Sequence, residues 1–254
     1  MSASKNAHTQ QIFYLHGGKR ITVIDVLTDQ CSEFDIEASS APHCVEAYKD
    51  GFMFSSKSQE LTYCWVKEGK PSFNKISIKS KGLGGNLSLK PSGDDFYLFN
   101  EHGLHYYESE TQKTYSQNCF DITNCGISLN QDASLFAVAD FGGNIYTFTT
   151  EQTNITPVPL AQVNMGIPVR TLVWCHDTNK ILIGCVGGTL FSWDGFSPEC
   201  SFLNQKDHTI NILRYFDGYV FMGTSDGFVH VLHSETSQEL YMFQAHFPIH
   251  YENE

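Results

Sequence analysis

The 254-residue sequence is marked first by what it lacks. No uninterrupted apolar run approaches the roughly 18 residues of a membrane-spanning helix. The opening residues, Met1-Ser2-Ala3-Ser4-Lys5-Asn6-Ala7-His8-Thr9-Gln10-Gln11, carry no apolar core of the kind a secretory signal uses. A cytoplasmic or nuclear chain is expected, neither secreted nor attached to a membrane. Basic residues are scarce, 16 Lys and Arg against 28 Asp and Glu. The resulting net charge of −12 opposes binding of a polyanion by the chain as a whole, so nucleic acid is not the expected partner. Eight cysteines are present, but none forms a Cys-x-x-Cys pair, and a chain of this length needs no disulfide staples. They are expected to be mostly buried thiols. The sequons at Asn86 and Asn154 are then chance matches.

Missing too are a Gly-x-Ser-x-Gly nucleophile elbow, a phosphate-binding loop and a dinucleotide fingerprint. No enzyme activity, cofactor or small-molecule substrate is expected. What is present is a hydrophobic content of 41% with 13% aromatics, which excludes disordered, collagen-like and coiled-coil chains and predicts a folded core.

Turn signals recur along the whole length: His16-Gly17-Gly18, Lys57-Ser58-Gln59, Glu101-His102-Gly103, Phe141-Gly142-Gly143, Val186-Gly187-Gly188 and Ser225-Asp226-Gly227. Their mean spacing is about 42 residues, the repeat length of a four-stranded propeller blade. Short β-branched and aromatic runs flank each signal. In the last unit these are Ile210 to Tyr215, Tyr219 to Gly223, Phe228 to His233 and Gln238 to Gln244. Glycine in the hairpins supplies the positive φ that tight connections require. The same frame predicts a turn at Lys90-Pro91-Ser92-Gly93, an outer strand from Lys113 to Ile122, another from Ile155 to Ala161, and a further one from Cys200 to Leu203. An all-β propeller of six blades is expected, with residues 1–10 as a flexible segment and 11–254 as a single domain. The first unit shows three strands, and Gln244 to Tyr251 reads as another first strand. The C-terminal strand is therefore expected to complete the first blade and remove an exposed edge.

At the hairpins and third strands the chain resembles the WD-repeat family. Thr224-Ser225-Asp226-Gly227-Phe228-Val229-His230-Val231-Leu232-His233 follows the pattern Ser-x-Asp-Gly-x-Val-x-x-Trp-Asp with Leu232 in the tryptophan place. Trp193-Asp194 keeps the pair itself, and Asp207-His208 and Ala245-His246 stand in the Gly-His places. No blade retains the family's full Asp, His, Ser/Thr and Trp set. Kelch repeats share the diglycines but run near 50 residues, longer than the period found here.

The resemblance implies a scaffold whose partners are proteins, docking on the face made by the second-to-third-strand hairpins and the connectors into the first strands. On this sequence that face comprises His16, Lys57, Glu101, His102, Asp140, Phe141 and Asp226, with Arg170 and Asn211 just inside first strands. Phe141 beside Arg170 is the expected anchor, since aromatic and arginine side chains dominate hot spots. An alternative rests on the one basic sector. Lys49 to Lys90 holds eight lysines against Asp50, Glu60 and Glu68, a local +5 in a −17 remainder. Lys67, Lys70, Lys75, Lys79 and Lys81 form its core. They either guard an outer strand against edge pairing or bind RNA or an acidic ligand. No metal site is expected: His102 and His105, like His230 and His233, point to opposite faces of a strand. The row Cys175-His176-Asp177 sits in a turn, where consecutive side chains diverge.

Overall fold

The computed structural model describes residues 2–6, 11–15, 20–25, 27–36, 42–56, 61–67, 70–76, 88–92, 94–100, 103–111, 113–117, 124–132, 134–149 and 159–244. Among these residues the strands form six four-stranded antiparallel sheets, each a meander in which neighbours in sequence are neighbours in the sheet. The chain divides into two compact units, Met1–Ile122 and Thr123–Glu254, where one domain was expected.

The first unit holds three sheets. They are β1 (Ser2–Asn6), β2 (Gln11–Leu15), β3 (Arg20–Asp25) and β4 (Gln30–Asp35); β5 (Pro42–Tyr48), β6 (Gly51–Ser56), β7 (Leu61–Lys67) and β8 (Lys70–Ile76); and β9 (Ser88–Ser92), β10 (Asp95–Asn100), β11 (Gly103–Glu108) and β12 (Lys113–Gln117). First strands lie side by side, β1 against β5 and β5 against β9. Strand alternation distributes the core between sheets. Phe52 and Phe54 of β6 meet Phe13 and Ile21 of the first sheet, while Met53 between them meets Phe96 and Tyr107 of the third.

The second unit repeats the plan. Its sheets are β13 (Asn124–Leu129), β14 (Leu135–Asp140), β15 (Asn144–Thr149) and β16 (Ala161–Asn164); β17 (Val169–Cys175), β18 (Lys180–Cys185), β19 (Thr189–Trp193) and β20 (Ser201–Gln205); and β21 (Ile210–Phe216), β22 (Tyr219–Thr224), β23 (Phe228–His233) and β24 (Glu239–Gln244). The middle sheet is covered on both faces. Ile181, Ile183, Trp174 and Trp193 pack against Ala137, Ala139 and Ile145 on one side, and Leu182, Leu190 and Cys175 against Leu213, Val220 and Met222 on the other. A strand buried on both faces reads as a continuous apolar run, as Ile181-Leu182-Ile183 does. Each such side chain contributes about 1.5–3 kcal/mol by burial.

Several expectations are corrected. Residues 2–6, read as part of a flexible segment, form β1 and pair with β2 in the register Ser2↔Leu15 to Asn6↔Gln11. A fourth strand is thus supplied to the first sheet from the N-terminal side, where one from the C-terminal side was expected. Residues 245–254 lie outside the described set. The polar run Ser-Ala-Ser-Lys-Asn has no strand signal of its own, and its conformation comes from the ladder to β2.

The fourth strand described in the β13–β16 sheet is Ala161–Asn164, which pairs Thr147↔Ala161 through Asn144↔Asn164 and shares only Ala161 with the expected Ile155 to Ala161, of which residues 155–158 lie outside the described set. Pro159, just before Ala161–Asn164, lacks the N–H that a ladder needs. Pro91 and Ser92 belong to β9 and not to a turn, pairing with Phe96 and Asp95. β9 borders its sheet, where a proline costs no internal bond. β20 runs Ser201–Gln205 where Cys200 to Leu203 was expected, and of the strand expected from Lys113 to Ile122 the described part is Lys113–Gln117, residues 118–122 lying outside the described set. Of the described cysteines, Cys64, Cys175 and Cys185 are buried, but Cys31 is exposed on β4. Burial pushes the Cys64 and Cys175 thiols up to about 12 and that of Cys185 to about 11.

Candidate functional site

The β14–β15 hairpin is locked by a ladder of short polar side chains. Asp140 Oδ1 accepts the Asn144 amide at 2.8 Å, and its Oδ2 accepts Asn144 Nδ2 at 2.8 Å. Asn164 Nδ2 donates to Asn144 Oδ1 at 2.6 Å, and the Gly166 amide donates to Asn164 Oδ1 at 2.7 Å. The Met165 amide bonds the Gly143 carbonyl at 2.9 Å. This scaffold spends its donors on itself and leaves Phe141 at the tip, 41% exposed. The Arg170 guanidinium lies over the Phe141 ring, 5.8 Å from its centroid. A cation–aromatic contact of this exposed kind contributes about 0.5–1 kcal/mol and, more usefully, holds two long side chains in one arrangement.

Arg170 is placed there by a register break. The β17–β18 ladder runs Val169↔Cys185 and then Thr171↔Gly184, so Arg170 has no partner in the pairing. Val169 and Thr171 are buried while Arg170 is exposed. The same break recurs at the start of three other first strands: between Asn124 and Gly126, between Ile210 and Ile212, and between Pro42 and Cys44. A bulge adds one residue to one strand and re-aims its side chain. Asn211, like Arg170, occupies such a bulge and is exposed. The two positions expected just inside first strands are therefore structurally equivalent.

Asp226, in the β22–β23 hairpin, belongs to a second polar assembly. Thr224 Oγ1 donates to Asp226 Oδ1 at 2.6 Å, and His208 Nε2 lies 3.5 Å from Asp226 Oδ2. His230 Nε2 is 3.4 Å from the same Thr224 hydroxyl, and its Nδ1 is 3.0 Å from Glu239 Oε2, which also receives Lys206 Nζ. Asp226, His208 and Thr224 thus meet, with buried His230 beside the hydroxyl and Leu232 in the core. Sequence reasoning missed His230, Glu239 and Lys206, because their partners stand 6 to 33 positions away across the sheet.

The electrostatics of this assembly give a pH prediction. Burial pushes the Asp226 carboxyl up, but the Thr224 hydroxyl, the Phe228 amide and His208 outweigh it, and the group sits below its ordinary 3.8. Burial likewise raises Glu239, while Lys206 and His230 hold it below its ordinary 4.5. Carboxylates lowered in the folded state contribute stability that is full above their ordinary values and is lost as pH falls through the lowered ones. A Glu239→Gln variant is expected to be less stable than wild type near neutrality and to lose that deficit as pH falls below the ordinary 4.5 and through the lowered value. Urea denaturation across the acidic range checks this, and a pH-independent difference would contradict it.

The Trp193-Asp194 pair is architectural. Trp193 Nε1 donates to the Ser197 carbonyl at 2.7 Å, and Asp194 Oδ1 accepts the amides of Phe196 and Ser197 at 2.8 and 2.7 Å. Hydrogen bonds from the Ser197 hydroxyl and amide hold the Asp194 carboxyl below its ordinary value. Cys175, His176 and Asp177 diverge as expected: the thiol is buried, His176 is exposed against the Tyr215 ring, and Asp177 accepts the Ser234 hydroxyl. Among the described residues no group of three or more His, Cys, Asp and Glu is placed to hold a metal ion.

Of the remaining expected residues, His16, Lys57, Glu101, His102, Lys79 and Lys81 lie outside the described set. Lys67 and Lys70 stand opposite each other at the β7–β8 turn, and Lys75 is exposed on β8 opposite Thr62. The basic sector also contains an ion pair, Lys49 Nζ to Asp94 Oδ1 at 3.3 Å. No helix among the described residues is long and apolar enough to cross a membrane.

No protein-family model matches the sequence, and no curated protein matches it either. Solved structures are similar in fold. Raptor from Chaetomium thermophilum superposes with a TM-score of 0.81 at 11% identity, over 96% of this chain and 24% of that one. The β-propeller domain of Cps50 (Swd1) from Myceliophteria thermophila gives 0.71 at 10% identity, over 89% of this chain and 79% of that domain. The computationally designed Ika8 protein gives 0.68 at 14% identity, over 96% and 86%. At such identities the likeness speaks to fold alone, and the fold is a β-propeller of four-stranded antiparallel blades.

Proposed function

We propose that the chain is a WD-type propeller acting as a non-catalytic protein-interaction platform, a subunit or adaptor of a larger complex in the cytoplasm or nucleus. The observation that carries this reading is the Phe141–Arg170 pair. A large apolar ring stands exposed at a hairpin tip whose own polar groups are satisfied internally, with a guanidinium stacked on it. A ring held this way loses little freedom on binding, which is what makes an aromatic–arginine pair an anchor. Asp140 is committed to the hairpin ladder and serves to position Phe141, not to contact a partner. Asn211, in the equivalent bulge one sheet further on, extends the same face.

The test is affinity purification with quantitative mass spectrometry, comparing wild type with a Phe141→Ala, Arg170→Glu double variant. Both side chains are exposed, so the variant is expected to keep the wild-type circular dichroism. Its principal partners should fall by at least about 30-fold, the equivalent of a hot spot of about 2 kcal/mol. An unchanged partner list would reject this face.

A further inference from the structure

Between β19 and β20 the chain makes a turn closed by one carboxylate. Ser192↔Ser201 is the last pair of that ladder, so Asp194, Gly195, Phe196, Ser197, Pro198 and Glu199 lie beyond it. Asp194 Oδ1 accepts the Phe196 and Ser197 amides, and its Oδ2 accepts the Ser197 hydroxyl. Phe196 is 54% exposed, and Pro198 and Glu199 are exposed beside it. Residues from Phe196 onward can be drawn out without unpairing a strand, while Gly195 stays behind, its carbonyl held by Thr147 Oγ1 at 2.7 Å. Ser128, Ser192 and Ser234 are buried. Ser197, by contrast, is half-buried, and its hydroxyl is bonded within the turn alone.

Ser197 is also set apart by the residue after it. Two hydroxyl residues in the sequence precede a proline, Thr156 and Ser197, and Thr156 lies outside the described residues. A proline has no N–H and biases the residue before it toward extended backbone. An enzyme cleft that offers no hydrogen-bond partner to the residue after its acceptor takes a proline there readily. Any other residue would leave a buried N–H unpaired in that cleft.

We propose that Ser197 is an acceptor site for a proline-directed serine/threonine protein kinase, and that its phosphate opens this turn. Ser197 Oγ attacks the γ-phosphorus of a nucleoside triphosphate. The Oγ–P bond forms, the bond from that phosphorus to the β-phosphate oxygen breaks, the hydroxyl proton passes to a carboxylate base of the kinase, and the nucleoside diphosphate leaves. The product has no hydroxyl to donate to Asp194 and carries about −1.5 to −2 charge at neutral pH. Asp194, held below its ordinary value, is ionised there, so a donor and its acceptor become two anions in contact. The turn relieves this by swinging Ser197 outward. Its carbonyl then leaves Trp193 Nε1, to which it is bonded at 2.7 Å, while the indole ring keeps its packing in the core. The site is separate from the Phe141–Arg170 pair and stands without it.

The test incubates the folded full chain with the catalytic domain of a proline-directed kinase and magnesium ATP, and locates phosphate by peptide mass spectrometry. Ser197 should take up phosphate, Ser197→Ala should abolish it, and Ser197→Thr, which keeps a hydroxyl, should retain it. Thr156→Ala should leave the Ser197 rate unchanged, whereas Pro198→Ala should lower it at least about tenfold. Each variant is checked for wild-type circular dichroism. No phosphate at Ser197, phosphate there only in heat-denatured chain, or a rate indifferent to Pro198→Ala would each overturn the site. In the phosphorylated protein, amide hydrogen exchange over residues 196–200 should quicken at least about tenfold while β17 and β18 keep their protection. Unchanged exchange in the turn, or protection lost across the whole β17–β20 sheet, would overturn the opening.

Discussion

Replacing Trp193 with alanine is expected to lower the unfolding free energy by about 3–5 kcal/mol, the cost of removing a fully packed tryptophan. Its ring is 2% exposed and lies in the cluster with Trp174, Ile181 and Val169 that joins the first two sheets of the second unit. The void would be too well framed to collapse, because its walls are themselves pinned. Trp174 Nε1 donates to Asn179 Oδ1 at 2.9 Å, its amide reaches Ser128 Oγ at 2.9 Å, and Thr147 Oγ1 donates to the Gly195 carbonyl at 2.7 Å. The substitution also removes the bond to the Ser197 carbonyl, and with it the closure of the Asp194 turn. Thermal unfolding should show a fall of roughly 10 °C for a chain of this size. Trp193→Phe, which keeps most of the ring but not the N–H, should recover more than half of the loss. An alanine variant with wild-type stability would mean that this ring does not seal the two sheets.

Gly143→Ala is expected to cost about 2–3 kcal/mol, more than a surface hairpin change normally does. Two effects add. The residue sits at φ +90, where an L side chain is strained, and a Cβ there would stand 2.5 Å from the Ile167 carbonyl oxygen, which is backbone and cannot step aside. Relief requires the hairpin to rise off the connector between β16 and β17. The Met165 amide bond to the Gly143 carbonyl and the Asn144–Asn164 bond would break with it. Phe141 would then leave the guanidinium of Arg170. Partner binding should fall together with stability, in contrast to Phe141→Ala, which should reduce binding alone. Urea denaturation and the partner assay on the same samples separate the two, and a Gly143→Ala protein stable and competent in both would remove the positional role given to this hairpin.

Much of the architecture was legible because the signals that carry it are local. The diglycines and Asp226-Gly227 mark hairpins through the φ they permit, and in the structure Gly143, Gly187, Gly188 and Gly227 all lie at positive φ. Short β-branched and aromatic runs between the turn signals identified strands. What was misplaced had no local signature or a misleading one. Ser2–Asn6 is a strand only because β2 offers it a ladder. Ala161–Asn164, largely polar, is likewise a strand because β15 offers it a ladder. Pro91 reads as a turn residue and is tolerated in β9 because that strand borders its sheet.

The candidate surface divides the same way. Phe141 and Arg170 could be named from residue type and position in the repeat. Their stacking could not, because it depends on a bulge that leaves Arg170 unopposed while Val169 and Thr171 stay in the core. An added residue in one strand changes pairing without changing composition. The contacts of Asp226 with His208 and of Glu239 with Lys206 and His230 likewise cross between strands and sheets.

By itself, then, the sequence determined the repeat, the hairpins and the acidic balance, since turn dihedrals, strand alternation and charge are properties of a residue and its near neighbours. Only the tertiary structure decided which first-strand residue turns outward and which polar groups are used up in holding a hairpin. Those outcomes follow from register and from the stacking of one sheet on the next, where residues far apart in the chain compete for the same space.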